Sequence, residues 1–330
     1  MMFLNLTFIS TMICISSMSW LTAWIGLEMN LLSMMPLMKM FNNKYSAEAM
    51  MKYFIIQTMA SMMLLFSIIM YLNFSKSILY MKFPIHMILN SSLILKLGMA
   101  PFHFWLPEVS SGLNWSMNMM LLTWQKIAPM ILLSYTIKNI MFFSIIIITS
   151  SLMGGLQGMN QTCLRKLMAY SSINHMSWMT STLFNSLNIW LYYFCIYSLI
   201  NLNIMIIFYK YNMFFIKNLN NLYNFNKKLK LMFMMNFLSL GGLPPFLGFF
   251  PKWLTINFLI KYNFYILSML LILISSVSLY FYMRLTFTSI SINSNETLLK
   301  NYFNIKFMYF FVNFINLMSL NLILILTNFM

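Results

Sequence analysis

Leu97-Gly98-Met99-Ala100-Pro101 and Leu240-Gly241-Gly242-Leu243-Pro244-Pro245 each lie inside a long apolar stretch, and their reading decides the fold. Proline within a helix has no N–H to donate, and its ring collides with the carbonyl four residues back. Each run therefore ends one helix and lets another begin. The interrupted stretches cover roughly 83–106 and 230–260, long enough to cross a bilayer. Backbone groups freed inside a membrane find no water there, so such breaks persist only against protein or a wet cavity.

Working outward, apolar runs of about 20 residues recur from end to end, which selects helices over a barrel. The pattern gives about eleven spans, at roughly 2–18, 19–39, 47–72, 83–106, 115–137, 140–159, 166–184, 188–209, 230–260, 263–284 and 307–329. The chain of 330 residues is 61% hydrophobic and 7% charged, with four Glu and no Asp, too little polar surface for a soluble domain. The expectation is an all-α polytopic membrane protein forming a single membrane domain. The first span lacks a basic leader and a small-residue cleavage site, so no signal peptide is expected.

The net charge of +16 does not point to nucleic acid, because the bases are scattered singly between spans. Anionic phospholipid is the partner this pattern suits. With the N-terminus on one side, that side receives Lys39, Lys44, Lys52, Arg165, Lys166, Lys210, Lys217, Lys227, Lys228, Lys230, Arg284, Lys300 and Lys306. The other side receives only Lys76, Lys82, Lys138 and Lys261. The asymmetry makes the first side the inside and, with an odd span count, puts the C-terminus on the opposite face. The two breaks fall roughly 97 and 102 residues into successive five-span units, 1–138 and 139–284, followed by a loop and final helix over 285–330. Units of five spans must have opposite topology. Inverted five-helix repeats with two discontinuous helices are the pattern of a transporter with its site near the midplane.

Four charges fall within spans: Glu28, Lys96, Lys126 and Lys252. A charge at the bilayer centre costs roughly 2.5–3.5 kcal/mol on insertion scales, so each is a candidate for an ion or proton pathway. Glu28 stands nine residues into its span, about 13.5 Å along a helix and near the centre of the hydrocarbon. Lys126 lies at comparable depth. A static buried ion pair is the competing reading, but one acid cannot pair with three lysines. Lys96 precedes the first break, where free carbonyls favour a cation; a lysine that merely satisfies those carbonyls is the alternative. Lys252 follows Pro251 beyond the second break, and a lysine snorkelling to a span end is the alternative there. His175 sits mid-span in Ser171-Ser172-Ile173-Asn174-His175, as a relay group or as a hydrogen-bonded core histidine.

His86 and His103 lie nearer span ends and are set aside. Glu108 is assigned to a loop, with Trp105 beside it marking the membrane interface. Glu48 and Lys52 are expected to pair at i,i+4. Cys14, Cys163 and Cys195 form no C-x-x-C and read as small packed thiols, with no metal or redox role. The 38 Met and 32 Phe suggest an A/T-rich gene in which ATA reads as Met, hence an animal mitochondrial genome.

Trp24-Ile25-Gly26-Leu27-Glu28, Leu97 to Trp105, Thr123-Trp124-Gln125-Lys126-Ile127-Ala128-Pro129, Arg165 to His175 and Leu240 to Pro245 together resemble the antiporter-like membrane-arm subunits of NADH–ubiquinone oxidoreductase, respiratory complex I, in their shortened animal form. The resemblance is weakest over 210–230 and beyond 285. It implies proton translocation coupled to NADH oxidation and ubiquinone reduction, by a chain that does no redox chemistry alone. It also implies a relay: Glu28 coupled to Lys96, Lys126 passing protons along the membrane plane, and Lys252 receiving them. Separating Glu28 from Lys96 would remove the partner that keeps Lys96 protonated. The expected partners are other membrane-arm and accessory subunits, and cardiolipin among the lipids. NADH, FMN, iron–sulfur clusters and ubiquinone are expected elsewhere in the complex, with no cofactor on this chain. The expected location is the mitochondrial inner membrane, N-terminus in the matrix and C-terminus in the intermembrane space. A standalone cation–proton antiporter and a structural scaffold are the competing readings.

Overall fold

Among the residues described by the computed structural model (1–39, 43–73, 79–184, 186–219 and 227–291), the backbone is helical, with one isolated bridge between Cys163 and Phe215. The last expected span, 307–329, lies outside them. The helices are α1 (Met2–Ile15), α2 (Trp20–Met38), α3 (Lys44–Asn73), α4 (Leu79–Leu97), α5 (Trp105–Gly112), α6 (Trp115–Leu122), α7 (Ile127–Thr136), α8 (Ile140–Met159), α9 (Leu164–Thr182), α10 (Leu187–Lys210), α11 (Lys227–Gly241), α12 (Phe249–Lys261) and α13 (Tyr265–Ser291). Lys44–Asn73, Ile140–Met159, Leu187–Lys210 and Tyr265–Phe287 are each long and apolar enough to cross a membrane unbroken. Met12, Met59, Met62, Ile145, Ile266 and Leu273 lie exposed along these and neighbouring helices, as lipid-facing side chains do. The protein is a multi-pass membrane protein.

By its internal packing the chain divides into two compact units, Met1–Ile146 and Ile147–Met330. In the first, α1 and α2 form a tight hairpin, and α3 packs against α2, α4 and α5. Ser19 starts α2 with a reciprocal capping box to Thr22. In the second, α9 packs against α10, α12 and α13, and every residue from Ser171 to Thr182 is buried. That helix is rich in Ser and Thr, yet it needs few partners. Ser171, Ser172, Ser177, Thr180, Ser181 and Thr182 each donate to the carbonyl three residues back, at 2.6–3.0 Å. A hydroxyl bonded to its own helix can enter an apolar core at little cost.

Both expected breaks are present and share one backbone order. α4 ends at Leu97 and Gly98 follows at φ +71°; α11 ends at Gly241 and Gly242 follows at φ +79°. Positive φ is the left-handed conformation that glycine adopts without steric cost. Gly98 and Met99 both donate to the Ile94 carbonyl, and Gly242 and Leu243 both donate to that of Leu238. Three residues after each glycine comes a cis proline, Pro101 or Pro245.

A third break was not expected. The stretch 115–137 reads as one span, but α6 stops at Leu122, and a 3-10 turn over Trp124–Lys126 leads into α7. Pro129 supplies the reason: in a continuous helix its ring would strike the Gln125 carbonyl. Four local assignments also change. Glu108 lies in the first turn of α5 rather than in a loop, and its Oε2 receives Lys52 Nζ at 2.7 Å, so Lys52 pairs across helices rather than with Glu48. Trp105 is buried, not interfacial, and its indole N–H donates to the Leu95 carbonyl at 3.1 Å. Only Cys14 is a packed thiol, since Cys163 is half-buried and Cys195 exposed.

Candidate functional site

All three span lysines are withdrawn from the surface, with relative exposures of 7% for Lys96, 2% for Lys126 and 6% for Lys252. None snorkels to a span end. In the first unit, Lys96 occupies the last turn of α4, and three of the carbonyls near that end have other donors. Ile94 receives the Gly98 and Met99 amides, Leu95 the Trp105 indole, and Lys96 itself the Gln57 Nε2 at 3.3 Å. Those three carbonyls are thus capped by groups other than the Lys96 ammonium. Lys126 closes the 3-10 turn, which Thr123 anchors by donating its hydroxyl to the Met119 carbonyl at 2.6 Å.

Glu28 is half-buried on α2, and its Oε2 is enclosed without a hydrogen-bond partner. No ion pair joins the carboxylate to Lys96 among the described residues. The pair expected from the sequence is therefore not a contact ion pair in this structure.

In the second unit, Lys252 comes from the first turn of α12 and reaches back across the break. Its Nζ donates to the Gly241 carbonyl at 2.7 Å, the last residue of α11, and lies 5.8 Å from the Trp178 ring centroid. The end of a helix carries partial negative charge, and a bond from an ammonium to a free carbonyl is charge-assisted. Along the chain, Lys96 precedes its break and Lys252 follows its own. In space both stand at the C-terminal end of the first half-helix, Lys96 by position and Lys252 by reach. On α9, His175 is buried, with Nδ1 3.1 Å from the Tyr193 hydroxyl and its ring 5.1 Å from that of Tyr197. Its neighbour Asn174 donates to Ser278 Oγ on α13 at 3.0 Å.

The sequence model of a family described as NADH:quinone oxidoreductase/Mrp antiporter, transmembrane, matches residues 17–279, a range that contains Glu28, Lys96, Lys126, His175 and Lys252. The chain belongs to this family. Among curated relatives, NADH-ubiquinone oxidoreductase chain 2 of Anopheles gambiae is 47% identical over 310 residues, covering 92% of this chain and 90% of its own. The protein of the same name from Locusta migratoria is 43% identical, covering 90% of this chain and 86% of its own. Among solved structures, a chain of respiratory complex I from Thermus thermophilus, with bound aureothin, superposes with a TM-score of 0.85 over 97% of this chain and 76% of its own. At 23% identity that likeness speaks for the fold alone.

Within this NADH:quinone oxidoreductase/Mrp antiporter fold, the sequence reading missed the polar residues around the lysines. Asn30, Gln57 and Gln125 are uncharged and lie in or beside apolar spans, and Tyr53 resembles any core aromatic. Amides inside a span were the available signal, because an unbonded amide in hydrocarbon costs several kcal/mol, on the order of 4–8 by transfer to cyclohexane.

Proposed function

We propose that the chain is a membrane-arm subunit of respiratory complex I that takes part in proton translocation coupled to NADH oxidation and ubiquinone reduction. One observation carries this reading: each of the three buried lysines stands at an interruption of its span, Lys96 at Gly98, Lys126 in the 3-10 turn and Lys252 on the Gly241 carbonyl. Interruptions are where a membrane helix exposes carbonyls and admits water, both of which a proton-carrying lysine requires. Glu28 biases Lys96 through its field, Lys126 serves the middle of the route, Lys252 serves the second unit, and His175 is a further relay group beside Tyr193. Each proton moved against 100 mV costs roughly 2.3 kcal/mol, which a sequence of small coupled shifts can supply.

The redox groups belong elsewhere in this account. NADH, FMN, iron–sulfur clusters and ubiquinone are assigned to other subunits; the three cysteines of this chain form no C-x-x-C. Its partners are the other membrane-arm and accessory subunits and phospholipid, cardiolipin in particular, and not nucleic acid. Its place is the mitochondrial inner membrane, with the N-terminus in the matrix and the C-terminus in the intermembrane space, as the basic asymmetry of its loops favours. A standalone cation–proton antiporter falls within the same family description. Mild-detergent extraction, a native gel stained for NADH-dependent reductase activity and mass spectrometry of the active band test the assignment. The chain is expected in that band; its recovery only in a small inactive species, with the assembly intact, overturns the assignment in favour of a free transporter.

A further inference from the structure

Asn30 and Gln125 form a reciprocal amide pair in the first unit. Asn30 Nδ2 donates to Gln125 Oε1 at 2.9 Å, and Gln125 Nε2 donates to Asn30 Oδ1 at 2.9 Å. Such a pair keeps the same bonds if both amides are flipped, so nothing depends on how oxygen and nitrogen were assigned. It joins α2 to the 3-10 turn, and Gln125 is the residue immediately before Lys126.

The pair borders a cavity of about 30 Å³ whose wall also includes Lys96, Lys126, Gln57 and Tyr53. That volume holds roughly two waters, and the polar wall supplies the two to four partners each water needs. After their mutual bonds, each amide keeps one N–H and one lone pair for a neighbour. On α2 the wall takes Leu27, Asn30 and Leu31, which share one helix face at i, i+3 and i+4. Glu28 is not part of that wall, since two residues along a helix amount to a turn of roughly 200° from Asn30. One rigid helix thus carries Glu28 on one side and, on the other, the amide that holds the Lys126 turn.

We propose that the Asn30–Gln125 pair is a positioning clasp: it ties the turn bearing Lys126 to the helix bearing Glu28 and keeps Lys96 and Lys126 on one hydrated cavity. Proton exchange between the two lysines then depends on the clasp. A change felt at Glu28 reaches Lys126 through the body of α2 rather than through space alone. Neither residue carries the proton by gain or loss of charge; both act through the lysines. This inference rests on the proton-translocating reading above.

The test uses the assembled complex with Asn30→Leu or Gln125→Met, which keep approximate side-chain size and remove the amide, and with the exchange Asn30→Gln/Gln125→Asn, which restores a pair. Complex abundance is read on a native gel, and NADH-driven proton uptake and its pH–rate profile are read in vesicles. Each single substitution is expected to slow proton uptake per assembled complex by roughly tenfold and to shift the pH–rate profile, because sub-ångström placement governs transfer. The exchanged pair is expected to recover most of the parental rate. Parental uptake and an unchanged profile in both single variants overturn the clasp, as does failure of both to assemble, which makes the pair merely structural. Lys126→Met, run alongside, separates the two claims. If that variant pumps normally the proton-translocating reading fails; if it does not pump while Asn30→Leu and Gln125→Met do, only the clasp fails.

Discussion

Replacing Gly242 by Ala should disable the second unit's lysine while sparing most of the fold. Gly242 sits at φ +79°, where an L side chain is strained by roughly 1–2 kcal/mol. A Cβ there would approach Lys252 Cδ at 2.8 Å and Cε and Nζ at 3.0 Å. The atoms it meets are the far end of a flexible side chain, so the fold gives way by moving Lys252 rather than by opening. The cost falls on the charge-assisted bond from Nζ to the Gly241 carbonyl, worth roughly 1.5–3 kcal/mol. If the route needs that placement, proton uptake per assembled complex drops by roughly ten- to hundredfold, at 1.4 kcal/mol per factor of ten. Gly98→Ala is the matched control. Its φ is +71°, but the added Cβ meets Leu106 and Trp105 rather than a lysine. That variant should therefore lower complex abundance and thermal stability more than turnover. The assay is NADH-driven acidification in vesicles, normalised to complex on a native gel. Equal loss of abundance with unaltered pumping per complex in both variants would show that proton transfer does not need Lys252 held on the Gly241 carbonyl.

Tyr193→Phe removes the hydroxyl beside His175 Nδ1 and should cost about 1 kcal/mol of stability; a shifted pH–rate profile in the same variant assigns His175 to the relay, and an unshifted one makes it a core histidine. Gly154→Ala would bring a Cβ to 2.8 Å from the Asn174 amide nitrogen and 3.0 Å from the Tyr170 carbonyl, backbone atoms that cannot swing aside. It should push α8 from α9, destabilise by roughly 1–3 kcal/mol and reduce assembled complex on a native gel; parental abundance contradicts it.

What the sequence disclosed followed from how loudly each residue speaks locally. Gly98 with Pro101 and Gly242 with Pro245 announce their breaks because glycine and proline act on their own backbone. The break before Lys126 was carried by Pro129 alone, and no glycine marked the turn it forces four residues upstream. Glu28, Lys96, Lys126 and Lys252 stood out because charge in hydrocarbon is expensive wherever the fold puts it. Partner choice was hidden, since it is decided by tertiary contact. Lys52 has Glu48 one turn away, yet bonds Glu108 on α5. Lys252 lies beyond its break in sequence and reaches behind it in space. Asn30 and Gln125, ninety-five residues apart, are matched only by folding.

If lysines buried at helix breaks carry protons, loss of Lys126 should show it first. At 2% exposure it cannot be a surface charge, and methionine preserves most of its bulk. The measurement is the number of protons translocated per NADH oxidised by complex assembled with Lys126→Met. A normally assembled complex with a reduced proton yield is the predicted result. An unchanged yield contradicts the account.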